Sequence, residues 1–460
     1  MALCKNCGKQ YLKGKEKFCS FCGKLLEEKK VSVKNTPFKK SKRYPFIIVL
    51  VLIIGAGAIV AMFWSNIWHE GTAAGNTDEL KEAEKAQEEE ITQENEITSG
   101  LEAEDKTTGQ FEVVSEAEKP EKVRLYVPAN YPSIQEAIDA AQNGDVIIVE
   151  AGTYVETIDF QGKEIILRSA DPEDPETIAA TVIDGNGRGS TVTFQSGEGE
   201  QAVLQGFTIT GGSGTLGEYI VERRGEKQEY RRYYGGGILI KDGSSPTISQ
   251  NIIRGNQVQK RADEIFGVGG GIAVINSSSP IIRGNIIAEN RADGYGGGII
   301  VWLDSNPLLE DNTIRNNSAD KVGGGLFLVM ESQPTITGNV VSQNQAGESA
   351  GGIYVAHDSY AEIVNNTIIN NVSQWGAGIM VLKAEALLKD NQIENNKAKR
   401  EGGGIYLHTD SMVSFSQNLI RYNTASNSGG GIWVERSAEL TVLNENIYSD
   451  NHPQSVFYQP

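Results

Sequence analysis

Beyond residue 22 the chain contains no cysteine, so no disulfide holds the remainder, and burial and backbone pairing must do the work. Proline is scarce, 13 in 460 residues, which leaves long stretches free to pair as strands. Only one long apolar run is present, and it is confined to residues 46–64. Cations are in the minority, 42 Lys and Arg against 60 Asp and Glu, giving a formal charge of −18. An acidic balance of this size argues against nucleic acid as a partner. The average conceals a polarity. Residues 1–45 carry thirteen Lys and Arg against three acids, whereas residues 70–122 carry seventeen acids against five Lys. A chain so divided suits a protein that crosses a boundary. What it has in excess is glycine, 52 residues, clustered and periodic. That is the mark of repeats rather than of disorder.

All four cysteines fall into two close pairs, Cys4/Cys7 and Cys19/Cys22, each followed by a glycine. Four thiolates at this spacing can close a tetrahedral shell around a structural Zn²⁺ and leave no open position for a substrate. Residues 1–26 resemble a short zinc ribbon, a module that docks an as yet unidentified protein partner. Two disulfides or free thiols are the alternatives. Residues 27–45 are a basic juxtamembrane linker. Phe46 to Trp64 is nineteen residues without a charge, long enough for one transmembrane helix. Lys39, Lys40, Lys42 and Arg43 precede it and Glu70, Asp78 and Glu79 follow, so the positive-inside bias places the N-terminus in the cytoplasm. Residues 65–122, rich in Glu, Lys, Gln and Thr, read as an acidic disordered stalk. Everything after 122 would then be extracytoplasmic.

Residues 123–460 form the main domain. From 235 to 451 a Gly-Gly-Gly-Ile-like motif recurs eight times, beginning at 235, 269, 296, 323, 350, 376, 402 and 429. An asparagine pair keeps the same beat, from Asn251/Asn256 to Asn446/Asn451, always five positions apart. Each period holds three short alternating runs separated by Gly, Ser and Asn, too short for helices. Three strands per turn stacked about 4.8 Å apart predict an all-β parallel β-helix of about a dozen rungs, roughly 55 Å long. Stacked asparagines would hydrogen-bond from rung to rung at the corners. Residues 123–150 read as an N-terminal cap: Ser133 and Glu136 form a capping box, and Ile134, Ala137, Ile138 and Ala141 share one helical face.

The stretch from Ile134 through Gly152-Thr153-Tyr154-Val155-Glu156 to Thr181–Gly185 and Gly206–Gly212, with the Gly and Asn repeats after it, resembles the right-handed parallel β-helix proteins of the pectin-lyase-like superfamily. The likeness covers about three quarters of the chain. It implies the fold but no single activity, since that superfamily includes lyases, hydrolases, esterases, epimerases, adhesins and binding modules. The superfamily's enzyme motifs do not carry over. The one Asn-Thr-Asp, Asn76–Asp78, lies in the stalk, and Asp-Asp, Gly-His-Gly and Arg-Ile-Lys elements are missing.

The residue after each repeat isoleucine should point outward, yet the series Leu239, Ala273, Ile300, Phe327, Tyr354, Met380, Tyr406, Trp433 is apolar. Two positions on, Trp302 continues the stripe. Three readings are open: a platform of ring faces for a glycan, contact with a protein or second copy, or cover by a loop. Phe327, Tyr354, Tyr406, Trp433 and Trp302, with Arg231 and Arg232 from the Arg/Tyr-rich insertion 213–234, are the candidate ligand-binding residues. A second insertion, 257–268, lengthens the next turn at the same corner. Asp304, Glu331, Asp358 and Asp410 edge this face, with Ala384 interrupting the row, and His357 and His408 stand beside them. Asp304, Glu331, Asp358, His357 and His408 are therefore candidate acid–base catalysts, and Ca²⁺ is a candidate cofactor. Solvated turn residues are the plainer explanation. The expectation is a single-pass envelope protein whose β-helix binds an extended glycan or envelope component. The alternatives are a polysaccharide lyase or glycoside hydrolase, and a structural or adhesive solenoid.

Overall fold

The computed structural model describes residues 2–3, 10–11 and 122–460, apart from 224–225 and 262–264. Cys4, Cys7, Cys19 and Cys22, the span 46–64 and the stalk lie outside the described residues. Near the N-terminus Ala2–Leu3 pairs antiparallel with Gln10–Tyr11. Among the described residues no helix is long and apolar enough to cross a membrane.

From Arg124 onward the chain winds as a parallel β-helix of about eleven turns, with three sheets running its length and a fourth along part of it. The first has twelve strands, from Arg124–Val127 to Glu439–Val442, and holds the run around Ile248, Ile282 and Leu309. The second has eleven, from Gly152–Tyr154 to Ile447–Ser449, with Ile253, Ile287 and Ile314 at its centre. The third has eleven, from Ile158–Asp159 to Val456–Tyr458, and contains the Gly-Ile strands. The fourth corrects the expectation of three strands per turn. Its seven strands have two residues each, from Gln257–Val258 to Thr424–Ala425. Two residues are too few to display alternation. Their trace in the sequence, in six of the seven, is a small residue two places after the second asparagine: Ala292, Ala319, Ala346, Ser373, Ala398, Ala425. All of these are buried.

The inward isoleucines, leucines and valines of successive rungs stack into one core, most with no exposure at all. Fully burying such a side chain contributes about 1.5–3 kcal/mol. At the N-terminal end the helix Ile134–Ala140 adds Ile134, Ala137 and Ile138 to that core. The Ser133 hydroxyl accepts from the Glu136 N–H at 3.3 Å, as the capping box requires. A second helix, Pro175–Ala180, lies beyond the expected cap; Asp174 caps it and proline occupies its first turn.

The asparagines form two unbroken ladders. Asn339 donates from its backbone N–H to Asn366 Oδ1 at 2.9 Å and from Nδ2 to the same atom at 3.1 Å. Its Nδ2 also reaches the Leu309 carbonyl at 2.8 Å. The residue before a ladder asparagine is left-handed, as at Gln343 (φ 55) and Asn370 (φ 59). One such residue turns the corner between sheets, so Asn, Asp, Gln or Gly recurs there. In the Gly-Gly-Gly-Ile motif the first position is left-handed too, Gly323 at φ 71, with Ala350 taking the same place at φ 53. The third is glycine in all eight copies because a Cβ on Gly325 would meet the Gly352 carbonyl oxygen at 2.7 Å.

A third ladder, of serines, runs beside the third sheet. Ser278 and Ser305 donate backbone N–H groups to Ser305 Oγ and Ser332 Oγ, each at 3.3 Å. Ala384 belongs to this buried column, not to the row of acids. The pairing Tyr360↔Glu385 and Glu385↔Met412 sets Ala384 between Ser359 and Ser411. The hydroxyls of those two serines are buried without partners. Lys383 occupies the acid's position, since its carbonyl accepts the Asp358 N–H at 2.8 Å. Ala384→Ser should therefore complete the column and raise stability by about 1 kcal/mol, read as a shift in urea midpoint at unchanged slope. A neutral or negative shift would mean that the two hydroxyls are satisfied in solution.

Candidate functional site

The outward positions of the third sheet do form a continuous stripe, but it is a second hydrophobic core rather than an open platform. Phe327, Tyr354, Tyr406 and Trp433 are buried to within a tenth of their surface, and Trp302 to 4%. The rings face one another along the solenoid axis. Phe327 and Tyr354 stack at 5.3 Å with 7° between planes, and Tyr406 and Trp433 at 4.3 Å with 11°. A strand-to-strand rise of about 4.8 Å matches ring-stacking distance, so the ladder consumes the faces and offers its edges.

The Arg/Tyr insertion is the cover over the upper part of this stripe. Thr215–Arg223 and Glu226–Tyr234 pair antiparallel as a hairpin, and the second insertion contributes Gly267–Val268 as a third strand beside it. Alternation sorts its side chains. Gln228, Tyr230, Arg232 and Tyr234 face the solenoid, while Glu218, Ile220 and Arg231 face away. Tyr234 stacks on Trp302 at 5.8 Å, and Tyr219 and Tyr230 meet its ring edge-on at 5.4 and 5.3 Å. Trp302 is thus a pin on which the hairpin closes.

Between hairpin and sheet is a cleft of about 380 Å³. Tyr230, Tyr295, Trp302 and Phe327 supply aromatic walls; Gln228, Arg232 and His357 supply polar groups. A smaller cavity of about 360 Å³, lined by Glu229, Arg231, Arg232, Ile265 and Phe266, shares Arg232 with it. The structure thus separates the two expected arginines. Arg232 lines the cleft, whereas Arg231 Nε is held at 2.5 Å by Glu218 across the hairpin. Arg224 lies outside the described residues. Of the expected ligand residues, Trp302, Phe327 and Arg232 converge. Tyr354, Tyr406 and Trp433 continue the stripe below the cleft without lining it. Sequence reasoning reached Tyr230 only as one of the tyrosines of the Arg/Tyr insertion and missed Tyr295 and Gln228 as cleft residues. The period-2 pattern of Gln228-x-Tyr230-x-Arg232-x-Tyr234 was the available signal.

Asp304, Glu331, Asp358 and Asp410 are exposed on left-handed turns (φ 53, 64, 63 and 52). Among the described residues no three His, Cys, Asp or Glu gather closely enough to hold a metal ion. His357 lines the cleft. His408 stands lower on the same face, its Nδ1 against the Glu435 carboxylate, with the Thr409 hydroxyl donating to that carboxylate at 2.9 Å.

Burial pushes the phenols of Tyr219, Tyr234, Tyr354 and Tyr406 well above the ordinary tyrosine value of 10.0. Nearby carboxylates, Asp242 for Tyr219 and Glu435 for Tyr406, push the same way. The folded state therefore keeps protons that the unfolded chain gives up above about pH 10. Stability from these rings is complete below that pH and is lost as pH rises beyond it. In an alkaline titration the last part of the tyrosinate absorbance should appear together with loss of β-structure. Ionisation of all sixteen phenols before any unfolding would contradict the burial of these four.

The model of the family described as right handed beta helix region matches residues 191–386 and 349–458. No curated protein matches the chain. Among solved structures, the chain is similar to ORF18 of Geobacillus virus E2, with 11% identity over 73% of this chain and 62% of that one, at a TM-score of 0.27. It is also similar to the A-module of the Azotobacter vinelandii mannuronan C-5 epimerase AlgE6, 14% identical over 71% of this chain and 94% of that one, at 0.29. A third is the receptor binding domain of the siphovirus 9NA tailspike, 12% identical over 75% and 80%, at 0.24. The chain spans less than two thirds of the first of these proteins. With the family match reaching across more than half of its length, on eleven parallel turns and their asparagine ladders, the chain belongs to the right-handed β-helix family.

Proposed function

We propose that this β-helix is the extracytoplasmic, ligand-binding part of a single-pass membrane protein, and that it holds a segment of an extended glycan under the hairpin. The observation that carries the reading is the cleft itself. Five aromatic side chains meet Gln228, Arg232 and His357 around about 380 Å³ that opens to solvent. Apolar walls with a few convergent polar groups are the ordinary form of a small-ligand site, and aromatic walls with hydrogen-bonding groups suit the two kinds of surface a sugar ring presents. A chain leaving the cleft would run over the ring edges of Tyr354, Tyr406 and Trp433. The anchor 46–64 and the zinc ribbon at Cys4, Cys7, Cys19 and Cys22 complete the proposal, with the ribbon docking a protein inside the cell.

The test is equilibrium binding of the purified protein to a panel of neutral and acidic polysaccharides. Gln228→Ala should weaken the best binder about threefold while leaving the melting temperature nearly unchanged, since that side chain is exposed and holds none of the aromatic contacts of the hairpin. Retained affinity would remove the cleft from consideration. A polysaccharide-cleaving activity is the second reading, favoured by His357 in the cleft wall with Asp358 next to it. New reducing ends in the same panel would establish it, with or without added Ca²⁺. Their absence alongside saturable binding would leave the first.

A further inference from the structure

The charge of the cleft is opposite to that of the chain. Formal charge is −18 overall, yet no acid is among the residues lining the cleft, and the two ionisable groups besides tyrosine are Arg232 and His357. Arg232 is set there by strand alternation, half-buried, with Tyr230 and Tyr234 two positions away on either side of it. Its Nη1 donates to the Arg231 carbonyl at 2.6 Å, and no carboxylate among the described residues pairs with it. The neighbouring Arg231 is neutralised by Glu218, on the opposite face of the hairpin. A guanidinium with spare donors beside aromatic walls, partly shielded from water, favours an acceptor that carries its own negative charge.

We propose, resting on the glycan reading above, that Arg232 is a specificity-determining residue and that the cleft takes an acidic sugar unit. A ring packs against Tyr230, Trp302 and Phe327 while its carboxylate or phosphate pairs with Arg232. Arg231, although adjacent and identical, takes no part, because its charge is already met by Glu218 and it points away.

The experiment measures binding of the full chain to four probes at low ionic strength. They are polygalacturonate, the same polymer fully methyl-esterified, a phosphomannan and poly-L-glutamate. The expected result is at least about tenfold tighter binding of polygalacturonate or of the phosphomannan than of the ester, in line with a charge-assisted hydrogen bond. Whichever of the two binds tighter identifies the acid as carboxylate or phosphate. Arg232→Gln should abolish the preference, Arg232→Lys should restore part of it, and Arg231→Gln should leave it intact. Equal binding of ester and acid would overturn the assignment to an acidic sugar while the glycan reading stood. So would a preference that survives Arg232→Gln, or equally tight binding of poly-L-glutamate, which has the charge without the ring. No binding of any sugar polymer would bring down the glycan reading and this inference with it.

Discussion

Asn344→Ala should cost about 3–5 kcal/mol, a large share of the stability of an ordinary domain, although the residue touches no ligand. Asn344 is fully buried and its side chain makes four hydrogen bonds. Its Oδ1 accepts the backbone N–H and the Nδ2 of Asn317, both at 3.0 Å. Its Nδ2 donates to the Ile314 carbonyl at 2.9 Å and to Asn371 Oδ1 at 3.1 Å. Alanine would strand two donors and a carbonyl in a site that water does not reach, and each such group costs about 1–3 kcal/mol. The aligned amides also polarise one another, so a gap in mid-ladder weakens its neighbours. Asn446, in the last rung and only half-buried, makes the comparison. It accepts from Asn418 but passes nothing to a further asparagine, so Asn446→Ala should cost about 1 kcal/mol. Urea unfolding of the two variants gives the contrast directly. Equal losses would show that position in the ladder does not matter.

Trp302→Ala should cost about as much, roughly 3–5 kcal/mol by the usual measure of a buried aromatic, but the loss should be local. Three tyrosines converge on that ring, and besides it the hairpin is fastened chiefly by the short pairing of Tyr233 and Tyr234 with Gly267 and Val268. The turns below keep their own ladders. Trypsin should therefore cut after Lys227, Arg231 or Arg232 at a concentration that leaves the native hairpin intact, while far-ultraviolet circular dichroism barely changes. Ligand binding should vanish with the cleft. A variant that unfolds as one unit, with the hairpin protected until then, would show that the hairpin is part of the solenoid's own core.

The repeat architecture was legible because its physics is local and periodic. A beat of 26 or 27 residues, alternating short runs and paired asparagines can be satisfied by few arrangements other than stacked parallel turns. Side-chain direction along the Gly-Ile strand was legible too: Phe327, Tyr354, Tyr406 and Trp433 do point away from the inner core. Their accessibility was not. Whether an outward ring offers its face or its edge depends on what stands one rung above and below, and on an insertion whose folding direction no local pattern records. For the same reason Arg231 and Arg232 looked equivalent in sequence, and Ala384 looked like a gap in the acids until pairing set it among the serines.

The coil, the asparagine turns, the N-terminal helix and the positions of the outward rings are thus legible in the chain alone, since each follows from local burial and hydrogen bonding, whereas the two-residue fourth strand is too short to show itself. The return of the hairpin onto Trp302, the stacking of the lower rings on themselves, and the choice of Arg232 over Arg231 to face the cleft belong to the folded molecule. Those are contacts between segments that share no period, and a contact of that kind is settled by packing in three dimensions.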